Sequence, residues 1–495
     1  MKRRSFIRNI GLLSAGLGFS APAVFAGERE EQEDYIFRKI SGRISADGKG
    51  IANVTVSDGF SVTRTDTKGN YVLEAHYDAR FVFLSLPAGY EIPHDQGIAK
   101  FYAPLQKGVK QQKADFALTL SAQDDTRHTF VVWADTQIKD EVDAEKLLTI
   151  SAPDASAHIH TLKDRPVFGI GCGDLVWDNF NLFKDYRKAV HMAGVPFWQV
   201  IGNHDMDCEA RTDDGSQRSF GEQFGPSYYS FNKGRIHYVV LDDVFFIGAG
   251  QRYIGYLTET QLKWLEKDLN YVPEGSTVVV ALHIPSNTGD KRRYKKKEDE
   301  TGGVVINRKA LYDLLKPYKV KIVSGHTHWN EVWEEDNLTE HNLGTVCGAW
   351  WSGPVCGDGT PNGFGVFDVD GDDISWYYKS TGYEKQHQLR LYKPGSDMER
   401  ASAVIANIWN HDKQWTVTWF EDGKPRGTMA QYTGYDPAAV ALYKGDALPA
   451  SRKWVEPILT DHLFSAVPAA GVKEIMVRAK DRFGNVYEEK IKLTI

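Results

Sequence analysis

Residues 197–205, FWQVIGNHD, place an amide, an imidazole and a carboxylate directly after an apolar run. The run is typical of a buried strand that ends at Gly202, and Asn203, His204 and Asp205 follow it. In open α/β sheets, ligands bind just beyond the carboxyl ends of the strands. We therefore expect chemistry at this strand end, provided that other strand ends supply partners.

Four further apolar runs in the middle of the chain end in residues of the same types. They predict strands over residues 129–135, 167–174, 276–283 and 320–328. The polar residues at all five strand ends are Asp135, Gln137, Asp174, Asn203, His204, Asp205, His283, His326 and His328. Carboxylates, amide oxygens and imidazoles without thiolates favour borderline or hard divalent metals over a structural zinc site. Two such ions about 3.5–4 Å apart can bind both the attacking and the leaving oxygen of an in-line displacement.

These strand ends resemble the calcineurin-like metallophosphoesterases, whose pattern is D-x-H, G-D, G-N-H-[DE], H and G-H-x-H in that order. The chain has ADTQ, CGD, GNHD, ALHIP and GHTH over residues 127–383. The resemblance implies an α/β fold: a layered domain of two stacked mixed β-sheets flanked by helices. It also implies a metal-dependent phosphoric ester hydrolase, a phosphatase or phosphodiesterase, in which a metal-bound hydroxide attacks the ester.

The resemblance assigns the strand-end residues to two metal ions. The expected ligands are Asp135, Gln137 and His328 for the first ion, Asp174 for both ions, and Asn203, His283 and His326 for the second. His204 would lie over the scissile phosphate and protonate the leaving group. Asp205 would orient the ring of His204 and support its charged form.

Gln137 departs from the family pattern, which has histidine at this position. Glutamine can bind a metal through its carbonyl oxygen, but this oxygen is a harder and weaker donor than imidazole. We therefore expect a looser first site that favours Mn²⁺ or Fe²⁺ over Zn²⁺. A site that has lost its activity is the competing interpretation.

A second set of residues lies close to the motifs and could contact substrate. It comprises Asp178, Asn179, Arg211, Trp350 and Trp351. Solvated turn residues, a surface charge and aromatic packing are the alternative interpretations of these positions. The basic run 291–297 follows His283, and it is interpreted either as a lid that attracts anions or as a solvated loop.

The four cysteines are Cys172, Cys208, Cys347 and Cys356. Cys347 and Cys356 flank a short loop that contains glycine and proline, so a disulfide between them is one interpretation. Buried free thiols are the other interpretation.

The flanking segments have short alternating apolar runs separated by turn signals, which predict β-sandwiches. We assign residues 35–121 to an N-terminal sandwich, 127–384 to the metallophosphoesterase domain and 386–495 to a C-terminal sandwich. The N-terminal sandwich is interpreted as a spacer or docking module. Within the middle domain, helices are expected near Thr258 and Asn307, and a further strand around residues 345–351.

Residues 1–26 combine basic residues, an apolar run and small residues before a cleavage site, the pattern of a signal peptide. Arg3 and Arg4 resemble a twin-arginine export signal. We expect a periplasmic or secreted protein without a transmembrane segment. Removal of residues 1–26 leaves 55 basic and 66 acidic residues, a net charge of −11. This charge opposes binding to nucleic acid and favours a small-molecule, lipid-linked or glycan-linked phosphate ester as partner.

A non-enzymatic function is the alternative. The chain would then be a cell-surface or periplasmic protein that binds glycan or protein and carries a degenerate metallophosphoesterase scaffold. Gln137 is the only residue that directly favours this interpretation.

Overall fold

A computed structural model describes residues 37–162, 164–248, 252–443, 448 and 450–493. The expected signal peptide, residues 1–26, lies outside this part of the chain. Among the described residues, no helix combines the length and the apolar character that a membrane span requires.

The N-terminal strands form two small sheets. The strands are β1 (Phe37–Ala46), β2 (Lys49–Gly50), β3 (Thr55–Ser57), β4 (Val62–Arg64), β5 (Asn70–His76), β6 (Phe81–Leu84), β7 (His94–Asp95), β8 (Ile98–Ala99), β9 (Tyr102–Pro104), β10 (Gln111–Lys113) and β11 (Phe116–Leu118). One sheet has the order β10-β1-β11, with β2 and β5 also paired to β1, and the other has the order β4-β3-β6-β9. Side chains alternate along β1 between buried and exposed, as the period of two in a strand requires, so Ile40 and Ile44 are fully buried.

Strands β7 and β8 leave these two sheets and extend the sheet of the middle domain. Ile98 of β8 is in parallel register with Phe197, the first residue of the strand that leads to GNHD. The backbone N–H of Phe197 donates to the carbonyl of Gly97 at 2.6 Å. The N-terminal module therefore covers an edge of the central sheet and is more than a spacer.

The middle domain alternates strands and helices. Its strands are β12 (Arg127–Trp133), β13 (Val167–Cys172), β14 (Phe197–Val200), β15 (Tyr229–Lys233), β16 (Ile236–Val240), β17 (Val244–Phe246), β18 (Tyr253–Gly255), β19 (Thr277–Ala281), β20 (Lys319–Ser324), β21 (Glu331–Glu335), β22 (Leu338–Asn342), β23 (Gly363–Asp370) and β24 (Asp373–Ser380). Its helices are α1 (Glu141–Lys146), α2 (Ala152–His160), α3 (Phe183–Ala193), α4 (Asp213–Ser216), α5 (Arg218–Phe224), α6 (Glu259–Leu269), α7 (Asp290–Arg293) and α8 (Arg308–Leu315). A π-helical turn, Leu147–Ser151, joins α1 to α2.

Two mixed sheets form the centre of this domain. One has the order β24-β23-β12-β13-β14-β8-β7 and the other β15-β16-β19-β20-β22-β21. Aromatic rings pack between the sheets: Trp198 of β14 stacks on Phe231 of β15 with ring centres 3.9 Å apart. Phe130 of β12 meets Tyr238 of β16 edge to face at 5.5 Å. The expected pair of stacked sheets is thereby confirmed.

The helices expected near Thr258 and Asn307 are present as α6 and α8. Thr258 caps α6, because its side chain accepts a hydrogen bond from the backbone N–H of Gln261. The strand expected over residues 345–351 is wrong, since this segment forms consecutive turns. Trp350 and Trp351 both have positive φ angles there, 51° and 60°, which no regular strand adopts.

The C-terminal strands form two four-stranded sheets. The elements are β25 (Arg390–Tyr392), β26 (Val404–Asn407), β27 (Thr416–Glu421), β28 (Lys424–Thr428), β29 (Ala430–Tyr435), α9 (Pro437–Leu442), β30 (Leu459–Ala466), β31 (Glu474–Lys480) and β32 (Val486–Lys492). Their orders are β25-β26-β30-β29 and β28-β27-β31-β32. Val404, Phe464 and Ile475 are buried in one core between these sheets, which is the expected β-sandwich.

A buried polar network joins this sandwich to the middle domain. His462 lies 2.9 Å from the carboxylate of Asp358 and 2.6 Å from the amide oxygen of Asn407. The same carboxylate accepts the backbone N–H of Asn330, two residues after His328. The C-terminal sandwich is therefore hydrogen-bonded to the turn that follows GHTH.

Candidate metal centre

The predicted ligands meet because the strands that precede them end at the same edge of the two sheets. β12, β13 and β14 are parallel neighbours in one sheet, and β19 and β20 are parallel neighbours in the other. The polar residues directly after these five strands therefore face each other across the gap between the sheets. This placement is what the apolar runs predicted.

Three ligand-type side chains converge on His283. The Nε2 atom of His283 lies 3.0 Å from Oδ1 of Asn203, 3.3 Å from Oδ1 of Asp174 and 3.2 Å from Nδ1 of His326. Ligand atoms of Asp174, His283 and His326 all lie within 4.8 Å of one another. This group has the size and the donors of a divalent metal site.

The second group lies on the other side of Asp174. Nε2 of His328 is 3.5 Å from Oδ1 of Asp135, and the amide of Gln137 donates to Oδ2 of Asp174 at 2.9 Å. One carboxylate oxygen of Asp174, Oδ1, thus faces the first group, and the other, Oδ2, faces the second. The structure brings together all seven predicted ligands, with Asp174 in the middle.

Two buried oxygens in the second group lack hydrogen-bond partners among the described residues. They are Oδ1 of Asp135 and Oε1 of Gln137. Buried polar atoms are normally paired, so two orphaned oxygens in one cluster fit a cation that would bind them. Burial opposes ionisation of Asp174, but the charges of His283 and His204 lower its pKa. The carboxylate form that a metal requires is therefore favoured.

Backbone carbonyls fix the orientation of the three imidazoles. They are the carbonyls of Cys172 for His283, Gly302 for His326 and Gly348 for His328, at 3.0, 2.9 and 2.6 Å. A ring nitrogen that donates to such a carbonyl leaves the other nitrogen to bind metal. The sequence carries no signal for these contacts, because any residue offers a carbonyl.

The glycines of the motifs allow the strand ends to approach closely. A Cβ atom on Gly202 would lie 2.0 Å from the backbone nitrogen of Asp174, and one on Gly325 would lie 2.4 Å from the carboxylate of Asp135. No other residue fits these two positions without a shift of the ligands. The backbone φ is also positive at Asp135, Gln137, Asp174, Asp178, His326 and His328. Strained backbone of this kind concentrates at functional sites.

His204 is oriented by Asp178 and not, as predicted, by Asp205, whose charge nevertheless helps to raise the pKa of His204. Nδ1 of His204 donates to Oδ1 of Asp178 at 2.9 Å. Burial opposes the charged ring, but the charges of Asp174 and Asp178 and this hydrogen bond raise the pKa of His204. The imidazolium form is therefore stabilised beside the metal ligands.

Asp205 stabilises the loops. Its carboxylate accepts hydrogen bonds from the backbone N–H groups of Leu175, Val176 and Gly202. These donors lie in the turns that follow β13 and β14, so Asp205 holds the two motif turns together. Burial raises the pKa of Asp205 to about 7.

The other substrate candidates have different surroundings. Trp350 stacks on the ring of His328 at 4.0 Å, whereas Trp351 is buried and donates to the carbonyl of Thr136. Asn179 donates to the carbonyl of Lys139. Arg211 is exposed in the loop before α4, and its guanidinium makes no hydrogen bond to a predicted ligand in the described part of the chain.

Sequence reasoning missed two aromatic residues that contact imidazoles of the site. Trp177 lies 5.3 Å from the ring of His204, and Tyr253 lies 5.9 Å from the ring of His326. Trp177 lies between Asp174 and Asp178, so its position in the motif loop was the available signal. Tyr253 belongs to the β17–β18 pair, which no motif marks.

The proposed disulfide is not formed. Cys347 and Cys356 are both free thiols that contact the hydroxyl of Thr345, at 3.7 and 3.8 Å. Cys347 also lies 3.6 Å from Nδ1 of His328. The two side chains are accommodated as buried thiols beside a metal ligand.

Three of the six basic residues in the run 291–297 pair with carboxylates. Arg292 pairs with Asp461, Arg293 with Glu331, and Lys296 with Asp290. Asp461 lies in β30 and Glu331 in β21, so this segment joins the middle domain to the C-terminal sandwich. The hypothesis of an anion-attracting lid gains no support from these contacts.

Three family models match successive parts of the chain. The N-terminal model of calcineurin-like phosphoesterases matches residues 38–121, the calcineurin-like phosphoesterase model matches 128–330, and the C-terminal model matches 340–487. Together they span most of the chain.

Curated relatives match the central part. A probable glycerophosphodiester phosphodiesterase, GpdQ, of Arcobacter nitrofigilis is 29% identical over 191 residues, which cover 35% of this chain and 63% of that protein. Purple acid phosphatase 15 of Arabidopsis thaliana is 31% identical over 195 residues, 37% of this chain and 32% of that protein. The matches thus span less than two thirds of either relative.

A solved structure, purple acid phosphatase PPD1 of yellow lupin (Lupinus luteus), has a TM-score of 0.37 and 13% identity over 66% of this chain and 67% of that one. The family rests instead on the three matched models and on the strand-end residues described above. The chain belongs to the calcineurin-like phosphoesterases.

Proposed function

We propose that the protein is an exported phosphoesterase that hydrolyses phosphate mono- or diesters with two divalent metal ions. One observation carries the proposal: seven ligand-type side chains from five strand ends converge around Asp174, beside the imidazole of His204. Two buried oxygens of this group, Oδ1 of Asp135 and Oε1 of Gln137, have no hydrogen-bond partner among the described residues and suit metal ligands.

Divalent ions at such a site polarise phosphoryl oxygens and lower the pKa of bound water. The residues of the chain supply the proton and the orientation. Because Nδ1 of His204 donates to Asp178, Nε2 is the nitrogen that can donate a proton to the leaving oxygen. The raised pKa of His204 favours the ring form that carries this proton.

The donor set favours Mn²⁺ or Fe²⁺ over Zn²⁺ at the first site. Gln137 offers the orphaned carbonyl oxygen Oε1 where an imidazole would stand in the family pattern. Oxygen donors suit harder ions, and imidazole suits zinc, copper and iron.

The substrate class follows from charge and from the relatives. The net charge of −11 expected after removal of residues 1–26 opposes nucleic acid, so a small-molecule, lipid-linked or glycan-linked phosphate ester is proposed. One curated relative bears the name of a phosphodiesterase and another that of a phosphatase, so both ester types belong in the test.

The alternative is a binding protein with a degenerate centre. Only Gln137 favours it, and the hydrogen bond from Gln137 to Asp174 leaves Oε1 unpartnered rather than filling the site. The alternative predicts a protein that binds no metal and hydrolyses no ester.

The test is hydrolysis of p-nitrophenyl phosphate and bis-p-nitrophenyl phosphate with added Mn²⁺, by the wild type and His204→Ala. We expect wild-type activity on at least one ester and a loss of roughly 10²-fold or more in kcat in the variant, with metal still bound. The preferred ester separates a phosphatase from a phosphodiesterase. Inactivity on both esters together with absent metal would favour the binding protein.

Export is tested separately. Expression of the full chain and of a chain that lacks residues 1–26, followed by cell fractionation, should place only the full chain outside the cytoplasm. Equal distribution of the two chains would contradict an exported protein.

A further inference from the structure

Three tryptophans form a continuous row of rings along one side of the candidate centre. Trp350 stacks on His328 with ring centres 4.0 Å apart, and Trp454 meets Trp350 at 4.5 Å. Trp177 meets Trp454 at 5.8 Å and His204 at 5.3 Å. We call Trp350, Trp454 and Trp177 the aromatic arc. It runs from a predicted metal ligand to the predicted proton donor.

Trp454 is the outermost ring of the arc, and the C-terminal segment of the chain supplies it. It follows the short 3₁₀ turn Ala450–Arg452 and remains 49% exposed, although it touches two other tryptophans. Its indole N–H donates to the carbonyl of Ser451, so its polar atom is already satisfied. The exposed part of Trp454 is therefore an apolar ring surface next to the centre.

Arg452 holds the arc in place. This guanidinium is only 4% exposed and donates to the carbonyl of Trp350 and to the carboxylate of Asp143, both at 2.9 Å. Its carbon Cζ also lies 4.7 Å from the ring centre of Trp177. Through its contacts with Trp350, Asp143 and Trp177, Arg452 fixes the positions of the rings. The arc is therefore preorganised for a ligand.

The charges beside the arc decide which kind of ligand fits. The ammonium of Lys139 lies 4.5 Å from the ring centre of Trp177, and Lys146 donates to the carbonyl of Trp351. Lys139 and Arg452 contact the arc itself, Lys146 lies beside it on Trp351, and Asp143 is a buried carboxylate paired with Arg452. A cationic ligand would be repelled here, whereas an uncharged flat ring can stack on indole.

We propose that the aromatic arc binds the leaving group of the substrate, and that this alcohol carries a flat, uncharged ring that stacks on Trp454. The proposal rests on the proposed phosphoesterase function, because it places the leaving oxygen at His204. From His204 the path leads past Trp177 to Trp454. Stacking of a base on an aromatic side chain contributes enough affinity to set substrate preference.

The test compares adenosine 5′-monophosphate with ribose 5-phosphate, which have the same phosphate and the same primary alcohol and differ in the ring. The wild type should prefer the nucleotide in kcat/KM by roughly tenfold. Trp454→Ala should remove most of that preference through KM and leave ribose 5-phosphate within about twofold of the wild type. Trp454→Phe should restore much of the preference.

The matched control is Tyr435→Ala, which removes an aromatic side chain of the same C-terminal sandwich that is 44% exposed. This variant should leave kcat/KM unchanged for both substrates. Equal use of both substrates by the wild type, or equal losses on both in Trp454→Ala, would overturn the role of the arc while leaving a phosphoesterase.

Calorimetric titration with the same two compounds separates the two proposals. Tighter binding of the nucleotide that depends on Trp454, without hydrolysis of any ester, would support the arc and overturn the proposed function. Equal affinity for the two compounds would overturn the arc in an inactive protein as well.

Discussion

Two carboxylates near His204 have different environments and therefore different functions. Asp178 is half-buried and bonds to the imidazole, whereas Asp205 is fully buried and accepts three backbone N–H groups. Only the first is hydrogen-bonded to the ring, although the charge of Asp205 also helps to raise the pKa of His204. Asp205 instead fixes the turns after β13 and β14, which position His204.

We predict that Asp178→Asn lowers kcat by about 10–100-fold with little change in KM. Asparagine tolerates the positive φ of 57° at this position, so the turn should persist. Loss of the carboxylate lowers the pKa of His204. The alkaline limb of the pH–activity profile should therefore shift to lower pH. The pH profile of kcat/KM measures this shift.

Asn179→Ala is the neighbouring control, since the side-chain amide of Asn179 donates to the backbone carbonyl of Lys139. It should leave the profile unchanged. Asp205→Asn should instead lower the unfolding free energy by about 1–3 kcal/mol, because an amide N–H would face backbone donors. An unchanged alkaline limb in Asp178→Asn would contradict the assignment.

We predict that Gln137→His increases the share of zinc in the purified protein and tightens binding at the first site. Imidazole is a softer and stronger donor than the orphaned Oε1 of Gln137. Elemental analysis after expression in medium with equal Mn, Fe and Zn measures the change. Identical occupancy and metal preference in both proteins would contradict the role given to Gln137.

The strand-end ligands could be predicted because each follows an apolar run and the carboxyl ends of parallel strands meet. The partner of His204 could not, since Asp178 and Asp205 are both close in sequence to a motif. Which of them reaches the ring depends on the path of the turn after β13. That path is set by long-range contacts of Asp205 with Leu175 and Val176.

At the scale of elements, regular helices and strands were easier to predict than turns. The spacing of apolar residues correctly predicted the helices α6 and α8. The apolar residues of 345–351, which were predicted as a strand, lie in turns. An apolar run marks burial, and burial alone does not distinguish a strand from a packed turn. Here Trp350 is partly buried against His328, and Trp351 is buried against Thr136.

Glu340 on β22 is a buried acid inside the second sheet. Its carboxylate accepts the backbone N–H of Ser286 and the hydroxyls of Ser286 and Ser324. Burial nevertheless raises the pKa of Glu340 to about 7. Between pH 4.5 and 7 the folded state therefore holds a proton that the unfolded state has lost.

We predict that the free energy of unfolding falls by up to about 3 kcal/mol as the pH rises through that window, because the buried Glu340 must then lose its proton. Glu340→Gln keeps the acceptor oxygen and removes the ionisation, so the melting temperature should fall less between pH 5 and 7. Glu335→Gln, at the exposed end of the neighbouring strand β21, is the control. Parallel curves for wild type and Glu340→Gln would contradict the prediction.

At the scale of the whole molecule, the flanking sandwiches are part of the structure around the centre. Strand β8 of the N-terminal module covers the edge at β14, and Phe101 packs against Trp198 and Tyr229 at 4.8 and 4.4 Å. The sandwich character followed from the alternating pattern. The pairing of β8 with β14 could not be predicted, because a two-residue strand has no sequence signature.

We predict that Phe101→Ala lowers the unfolding free energy by about 3–5 kcal/mol and shifts one cooperative transition. Phe101 is 2% exposed and bridges the N-terminal module and both central sheets. Leu120→Ala, in the same module but 55% exposed, should change stability little. Calorimetry that resolves a separate transition for the N-terminal module would contradict this integration.

The position of β8 also has a consequence for synthesis on the ribosome. The chain emerges from its N-terminus, and domains generally fold in that order. Ile98 leaves the ribosome about one hundred residues before Phe197, its partner across the sheet. The nascent chain thus has a folded edge available when the strand that leads to His204 arrives. Pairing of β14 with β8 can begin before the strands of the second sheet, which all follow β14 in the chain, have been translated.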